Sequence, residues 1–161
     1  MEIRAFLMDE YPRVVAAVAL AGGSRASAED AVQEALARAW ERSERGERID
    51  SLPAWVTTVA LNLSRSRWRR VLAERRARAR LGVERSDQRA PEDLLDLERA
   101  LAGLSRRQRE AVVLRYYLGE DVAGVARILG VTEGTVKTTL HRARKALAAA
   151  LNDREDDRVG A

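Results

Sequence analysis

Between Asp121 and Leu147 the chain carries a short apolar-periodic run, a glycine, a capping threonine and a longer periodic run, and few folds accommodate that order. Asp121 is a helix N-cap type, and Val122, Val125, Ala126 and Leu129 then recur at helical spacing. Gly130 supplies a turn in the left-handed conformation, which glycine reaches cheaply. Thr132 caps a last helix read from Glu133 to about Ala150. Val136, Leu140, Ala143 and Leu147 are spaced 4, 3 and 4 and form its buried stripe. The pattern predicts a helix-turn-helix whose second helix lies against DNA.

Geometry then fixes what that helix turns outward. Thr135, Thr138, Thr139 and Arg142 share the outer face, with Lys137, Arg144 and Lys145 alongside and Thr132 and His141 on the same element. Hydroxyls and long cations are the side chains that bond phosphates and base edges. After Glu133 the next acid is Asp153, so the helix does not repel a polyanion. The competing reading is a three-helix corner with a solvated charged face.

The rest of the chain reads as helix as well. Ala, Leu, Arg and Glu dominate, aromatics make up 4% and prolines number three, which favours helices over sheet. A first helix spans roughly Phe6 to Ala21, with Leu7, Tyr11, Val14, Val15 and Val18 on one side. Ser27 caps a second, which buries Val32, Ala35, Leu36 and Ala39 and runs to about Arg42. Residues 43–52 form a polar loop. Pro53 opens a third helix with Val56, Val59, Ala60 and Leu63 inward. It runs on to about Leu81 through a block with eight arginines between positions 65 and 80. Such a block points to a polyanionic partner, although 27 of the 29 basic residues are Arg and an Arg-rich coding bias gives the same pattern.

On this third helix Thr58, Asn62, Arg65 and Arg69 are spaced 4, 3 and 4 and line one face, flanked by Ser66 and Trp68. Amide, hydroxyl and cation together can hold unpaired bases. A solvated face is the alternative there. Residues 82–91 are polar with Gly and Pro and read as a flexible linker. Leu94, Leu95, Leu97, Leu101 and Leu104 begin the second domain, and Ser105–Gln108 is a capping box. The fold expected is all-α: a domain over 1–81, the linker 82–91, a helix-turn-helix domain over 92–151 and an acidic tail over 152–161.

Composition removes several function classes. With no cysteine and one histidine among 161 residues, disulfides, thiolate chemistry and a zinc site are not expected, nor is any cofactor. Carboxylates scatter over helix starts and solvated faces, so no catalytic constellation emerges. No apolar run reaches spanning length and the N-terminus lacks a signal-peptide layout. A cytoplasmic, non-enzymatic protein without membrane insertion is the expectation.

Four segments then carry a resemblance. Ala28–Trp40 (AEDAVQEALARAW) resembles the second-region helix of bacterial sigma factors of the extracytoplasmic-function (ECF) group. Pro53-Ala54-Trp55 followed by Ala60–Leu63 is similar to the promoter-melting helix of that group. Leu104–Glu110, and Leu129–Lys137 ending in His141–Leu147, are similar to its fourth-region domain. The resemblance covers about residues 7 to 148. It implies a subunit that directs RNA polymerase core to promoters and helps melt them. Asp30, Gln33, Glu34 and Arg38 would then dock on the clamp helices of the largest subunit, with the flap as a second contact. The loop 43–52 would capture a flipped base of the minus-ten element. Thr58, Asn62, Arg65, Ser66 and Arg69 would meet that element. The last helix would read the minus-thirty-five element, and an anti-sigma partner is implied. The chain departs from the family pattern at Gly124, where an acid is usual, at Thr138-Thr139, where Ser-Arg is frequent, and at Ser66, where Asp is frequent. A stand-alone helix-turn-helix regulator and a helical adaptor are the alternatives, and both would need a different N-terminal half or no DNA binding.

Overall fold

The computed structural model describes residues 3–22, 24–79 and 100–159. The linker 82–91, the end of the third helix near Leu81 and the leucines at 94, 95 and 97 lie outside the described residues. All regular structure among these residues is helical, with no strand. The chain divides into two compact units, Met1–Ala90 and Pro91–Ala161.

In the first unit, helix α1 (Ile3–Ala5) passes into a π-helical turn, Phe6–Glu10, and on into α2 (Tyr11–Gly22). The Tyr11 N–H donates to Phe6 O, five residues back. That wider turn shifts the register, because it inserts one residue relative to an α-helix. Phe6, Val14, Val15 and Val18 therefore face the core, while Leu7, expected inward, is 46% exposed. Tyr11 is half-buried.

Helix α3 (Arg25–Glu44) starts one turn earlier than the sequence suggests. Ser24, not Ser27, is the cap, and its hydroxyl accepts the Ser27 N–H at 3.2 Å. Ala28, Ala31, Val32, Ala35 and Ala39 are buried along one stripe. Alanines there let α3 lie close against both α2 and α4. Helix α4 (Leu52–Ala79) begins one residue before Pro53, with the Ser51 hydroxyl accepting the Ala54 N–H at 3.4 Å. Its buried face is Val56, Thr57, Ala60, Leu61 and Ser64, a stripe rotated from the one expected, and Val59 and Leu63 are only half-buried. Thr57 enters the core at no polar cost because its hydroxyl donates to Pro53 O at 2.8 Å.

In the second unit a helical end at 100–102 turns at Gly103 into Ser105. Ser105 completes the capping box: its hydroxyl accepts the Gln108 N–H, and Gln108 Oε1 accepts the Ser105 N–H at 2.9 Å. Helix α5 (Arg106–Val112) continues as a second π-helical turn, Val113–Tyr117, closed by Gly119 at φ +79°. Helix α6 (Val122–Leu129) follows the Asp121 cap, whose Oδ1 accepts the Gly124 N–H at 2.6 Å. Helix α7 (Glu133–Val159) is the last. It extends beyond the expected end near Ala150, so the backbone of the acidic stretch is helical through Val159. Both α5 and α6 pack on α7 around Leu114, Val125, Ile128, Val136, Leu140 and Ala143.

Candidate nucleic-acid interface

The turn before α7 decides where α7 points. Gly130 sits at φ +66°, ψ +42°, in the left-handed region. Its N–H donates to Arg127 O, and the Val131 N–H donates to Ala126 O at 3.0 Å. This pair of bonds closes the C-terminus of α6 as a Schellman motif. Two residues later Thr132 opens α7, its hydroxyl accepting the Thr135 N–H at 3.2 Å. Arg107 braces the corner by donating to Leu129 O at 3.4 Å.

With Val136, Leu140 and Ala143 buried, the opposite side of α7 is open. Thr132, Thr135, Lys137, Thr138, His141, Arg142, Arg144 and Lys145 are exposed, and Thr139 is half-buried on a flank. The threonines are partly engaged by the helix itself. Thr138 donates to Gly134 O at 3.0 Å, and the hydroxyls of Thr132 and Thr135 lie 2.9 Å apart. They offer acceptors and methyl groups more than free donors. The cations at 137, 142, 144 and 145 supply the donors.

Arg144 has a partner that sequence reasoning missed. Its Nη1 donates to the Tyr116 hydroxyl at 3.0 Å, across to the π-helical turn. Gly124 also gains an explanation. A Cβ there would collide with Glu120 Oε2, so the neighbouring glutamate fills the space a side chain would take. Below the corner, Glu110 is 1% exposed and accepts from Arg106 Nε at 3.1 Å. Burial, and after it the nearby Arg106, lowers the Arg109 guanidinium from its ordinary value, while Glu110 raises it.

The first unit holds the other candidate face. On α4, Asn62, Ser66 and Arg69 are exposed, and Arg65 is half-buried with its Nη1 donating to Asn62 Oδ1 at 3.0 Å. Thr58 is half-buried and its hydroxyl donates to Ala54 O at 2.8 Å. On α3, Asp30, Gln33 and Arg38 are exposed. Glu34 is not a simple docking acid. One oxygen takes Arg38 and the other takes Arg67 Nη2 at 2.9 Å, across to α4. Arg67 also donates to Ser27 O at 3.4 Å. It belongs to the arginine block, yet it ties two helices together. The register could have revealed it, since Val56, Ala60, Ser64 and Arg67 follow one another at 4, 4 and 3 along the core stripe.

The loop between α3 and α4 spans 45–51, because α3 runs on to Glu44. Glu47 anchors it, pairing with Arg42 at 2.6 Å and Arg45 at 2.9 Å. Arg42 in turn sits 5.7 Å over the Trp55 ring. The Arg45 hydrogen bond, opposed by desolvation but joined by the charges of Arg42 and Arg45 and the Arg42 hydrogen bond, holds the Glu47 carboxyl below its ordinary value.

A helix-turn-helix whose second helix carries no acid from Gly134 to Asn152, accompanied by a separate helical unit with a polar cationic face, defines a class of DNA-binding protein. Comparison with known proteins narrows it. Residues 6–74 match sigma-70 region 2 and residues 94–147 match sigma-70 region 4. The ECF RNA polymerase sigma factor SigL of Mycobacterium tuberculosis is 39% identical over 162 aligned positions, covering 91% of this chain and 88% of SigL. The ECF sigma factor SigF of Caulobacter vibrioides is 35% identical over 132 positions, covering 78% of this chain and 72% of SigF. Among solved structures, the sigma factor RpoE of Bartonella quintana, crystallised with the anti-sigma factor NepR, superimposes with a TM-score of 0.78 at 29% identity, covering 94% of this chain and 97% of RpoE. The chain belongs to the sigma-70 family, in its ECF group of RNA polymerase sigma factors.

Proposed function

We propose that the chain directs RNA polymerase core to promoters and assists DNA melting at initiation, without catalytic chemistry of its own. Family membership over nearly the whole chain supports the first part. The observation that carries the reading is the open cationic face of α7 behind a rigid glycine turn. In this reading Thr132, Thr135, Lys137, Thr138, Thr139, His141, Arg142, Arg144 and Lys145 meet the minus-thirty-five element. Thr58, Asn62, Arg65, Ser66 and Arg69 meet the minus-ten element. Asp30, Gln33, Glu34 and Arg38 dock on the clamp helices of the largest subunit, and the second unit meets the flap. The chain then works in four parts: 1–81 for docking and minus-ten recognition, 82–91 as linker, 92–151 for minus-thirty-five recognition and 152–161 as tail.

An anti-sigma factor is the further partner, as NepR is for RpoE. The site of action is the cytoplasm, where polymerase and promoter meet. No helix among the described residues is long and apolar enough to cross a membrane.

Run-off transcription tests the proposal. Polymerase core plus this chain should initiate from a promoter mapped by transcript starts after overexpression, and core alone should not. Transcription no greater than that of core alone rejects it. Asn62→Ala should keep closed-complex binding and lose melting, read by permanganate footprinting.

A further inference from the structure

The Tyr116–Arg144 contact couples a residue outside the α7 set to the DNA-facing side of the second unit. Its chemistry is directional. A guanidinium has only donors, so Arg144 donates and the Tyr116 oxygen accepts, at 3.0 Å. The hydroxyl hydrogen of Tyr116 therefore points away from Arg144. Tyr116 is 57% exposed, so a partner arriving from solvent can reach that hydrogen. A hydroxyl that accepts from a cation is a better donor on its other side.

The backbone aims the ring there. Val113–Tyr117 is a π-helical turn, with the Leu118 N–H donating to Val113 O at 3.1 Å, five residues back. The wider turn presents Tyr116 towards α7, and π-turns of this kind recur at functional sites. On α7, Lys137, His141 and Arg144 are spaced 4 and 3 and form one strip, all three exposed. A neutral O–H donor beside a guanidinium, along a strip with a lysine, fits one ligand chemistry, a phosphodiester oxygen.

We propose that Tyr116 and Arg144 together bind one backbone phosphate of promoter DNA flanking the upstream element, with Tyr116 donating its hydroxyl hydrogen to the phosphate oxygen. This rests on the reading of α7 as the helix that meets that element. The contact carries no base information. It fixes how far α7 is rotated about its own axis in the groove, because it comes from a different helix.

The test uses polymerase holoenzyme assembled with the full chain and a duplex of the mapped promoter. Tyr116→Phe removes the hydroxyl and keeps the ring. Binding should weaken about three- to tenfold, the net size of one ordinary hydrogen bond at an exposed site. Methylphosphonates placed one at a time along the upstream duplex then locate the contact. Wild type should lose more affinity at one position than Tyr116→Phe does, and Arg144→Ala should shrink the loss at that same position. Tyr116→Phe binding as tightly as wild type overturns the proposal. So does a weakened Tyr116→Phe with an unchanged methylphosphonate profile, since the hydroxyl would then act only within the protein. Arg142→Ala separates the two readings. If Arg142→Ala also binds normally, the placement of α7 on the upstream element falls first; if it weakens and Tyr116→Phe does not, only the phosphate contact falls.

Discussion

Single side chains in this protein hold several partners at once, and the balance sets what each can do. Glu34 is shared between Arg38 on its own helix and Arg67 on α4. Both members of the cross-helix pair are about one-third exposed, at 34% and 38%, so water screens the attraction. Arg67→Ala should cost only about 0.5 kcal/mol of unfolding free energy, read by urea denaturation. Its effect on promoter opening should be the larger one, because Arg67 sets how α4 lies on α3. Glu47 behaves differently. Its carboxyl is held below the usual range, chiefly by the Arg45 hydrogen bond. A depressed carboxyl contributes stability that is present above the unfolded-state pKa and lost as pH falls through the folded one. NMR titration should find the Glu47 midpoint below that of a glutamate in the unfolded chain. In Arg45→Ala that midpoint should move up.

At the scale of elements, caps and turns are what the sequence announces most clearly. Asp121, Gly130, Thr132 and the Ser105–Gln108 box each make the bonds their residue types suggest. These are local interactions, so a few neighbouring letters suffice to specify them. Two elements resisted. The π-helical turn at Phe6–Glu10 turned Leu7 outward, and no short-range pattern distinguishes five-residue from four-residue bonding. The α4 stripe rotated because threonine and serine fill core positions that apolar counting assigns elsewhere. Of the candidate site, the cationic residues were legible and the core-stripe register points to Arg67, but its partner Glu34 and the Tyr116 contact were not legible, since both contacts join residues 28 or more positions apart. Gly130→Ala should cost about 1–2 kcal/mol, because its φ of +66° strains any residue with a Cβ. Gly124→Ala should instead raise stability by about 0.5 kcal/mol. The helix gains propensity, the obstructing Glu120 oxygen ends a flexible side chain that can swing clear, and the Asp121 cap oxygen, 3.1 Å from the new Cβ, needs to give only a few tenths of an ångström. Thermal and urea unfolding of both variants check the opposite signs.

For the whole molecule, the chain forms two compact units, and the proposed function gives each its own task. Substitutions on one should leave the other's stability and chemistry unchanged. Asn62→Ala and Arg142→Ala should therefore multiply in their effects on initiation, with free energies adding to within about 0.5 kcal/mol. Abortive-initiation rates of the two single variants and the double variant measure this. A double variant much worse or much better than the product would mean that the faces communicate.

The length of α7 has one more consequence. Its 27 residues make a rod of about 40 Å, at about 1.5 Å per residue. Between Glu133 and Asp153 the sequence holds no acid, whereas four acids fall between Asp153 and Asp157. The rod is thus electrically lopsided, basic along its leading part and acidic at its trailing end. In the field of a duplex such a rod feels a torque as well as a pull. Under the proposed function, that torque would turn its acidic end away and bring the Thr132 end foremost, so diffusion would deliver it partly aligned before any atom of the groove is touched.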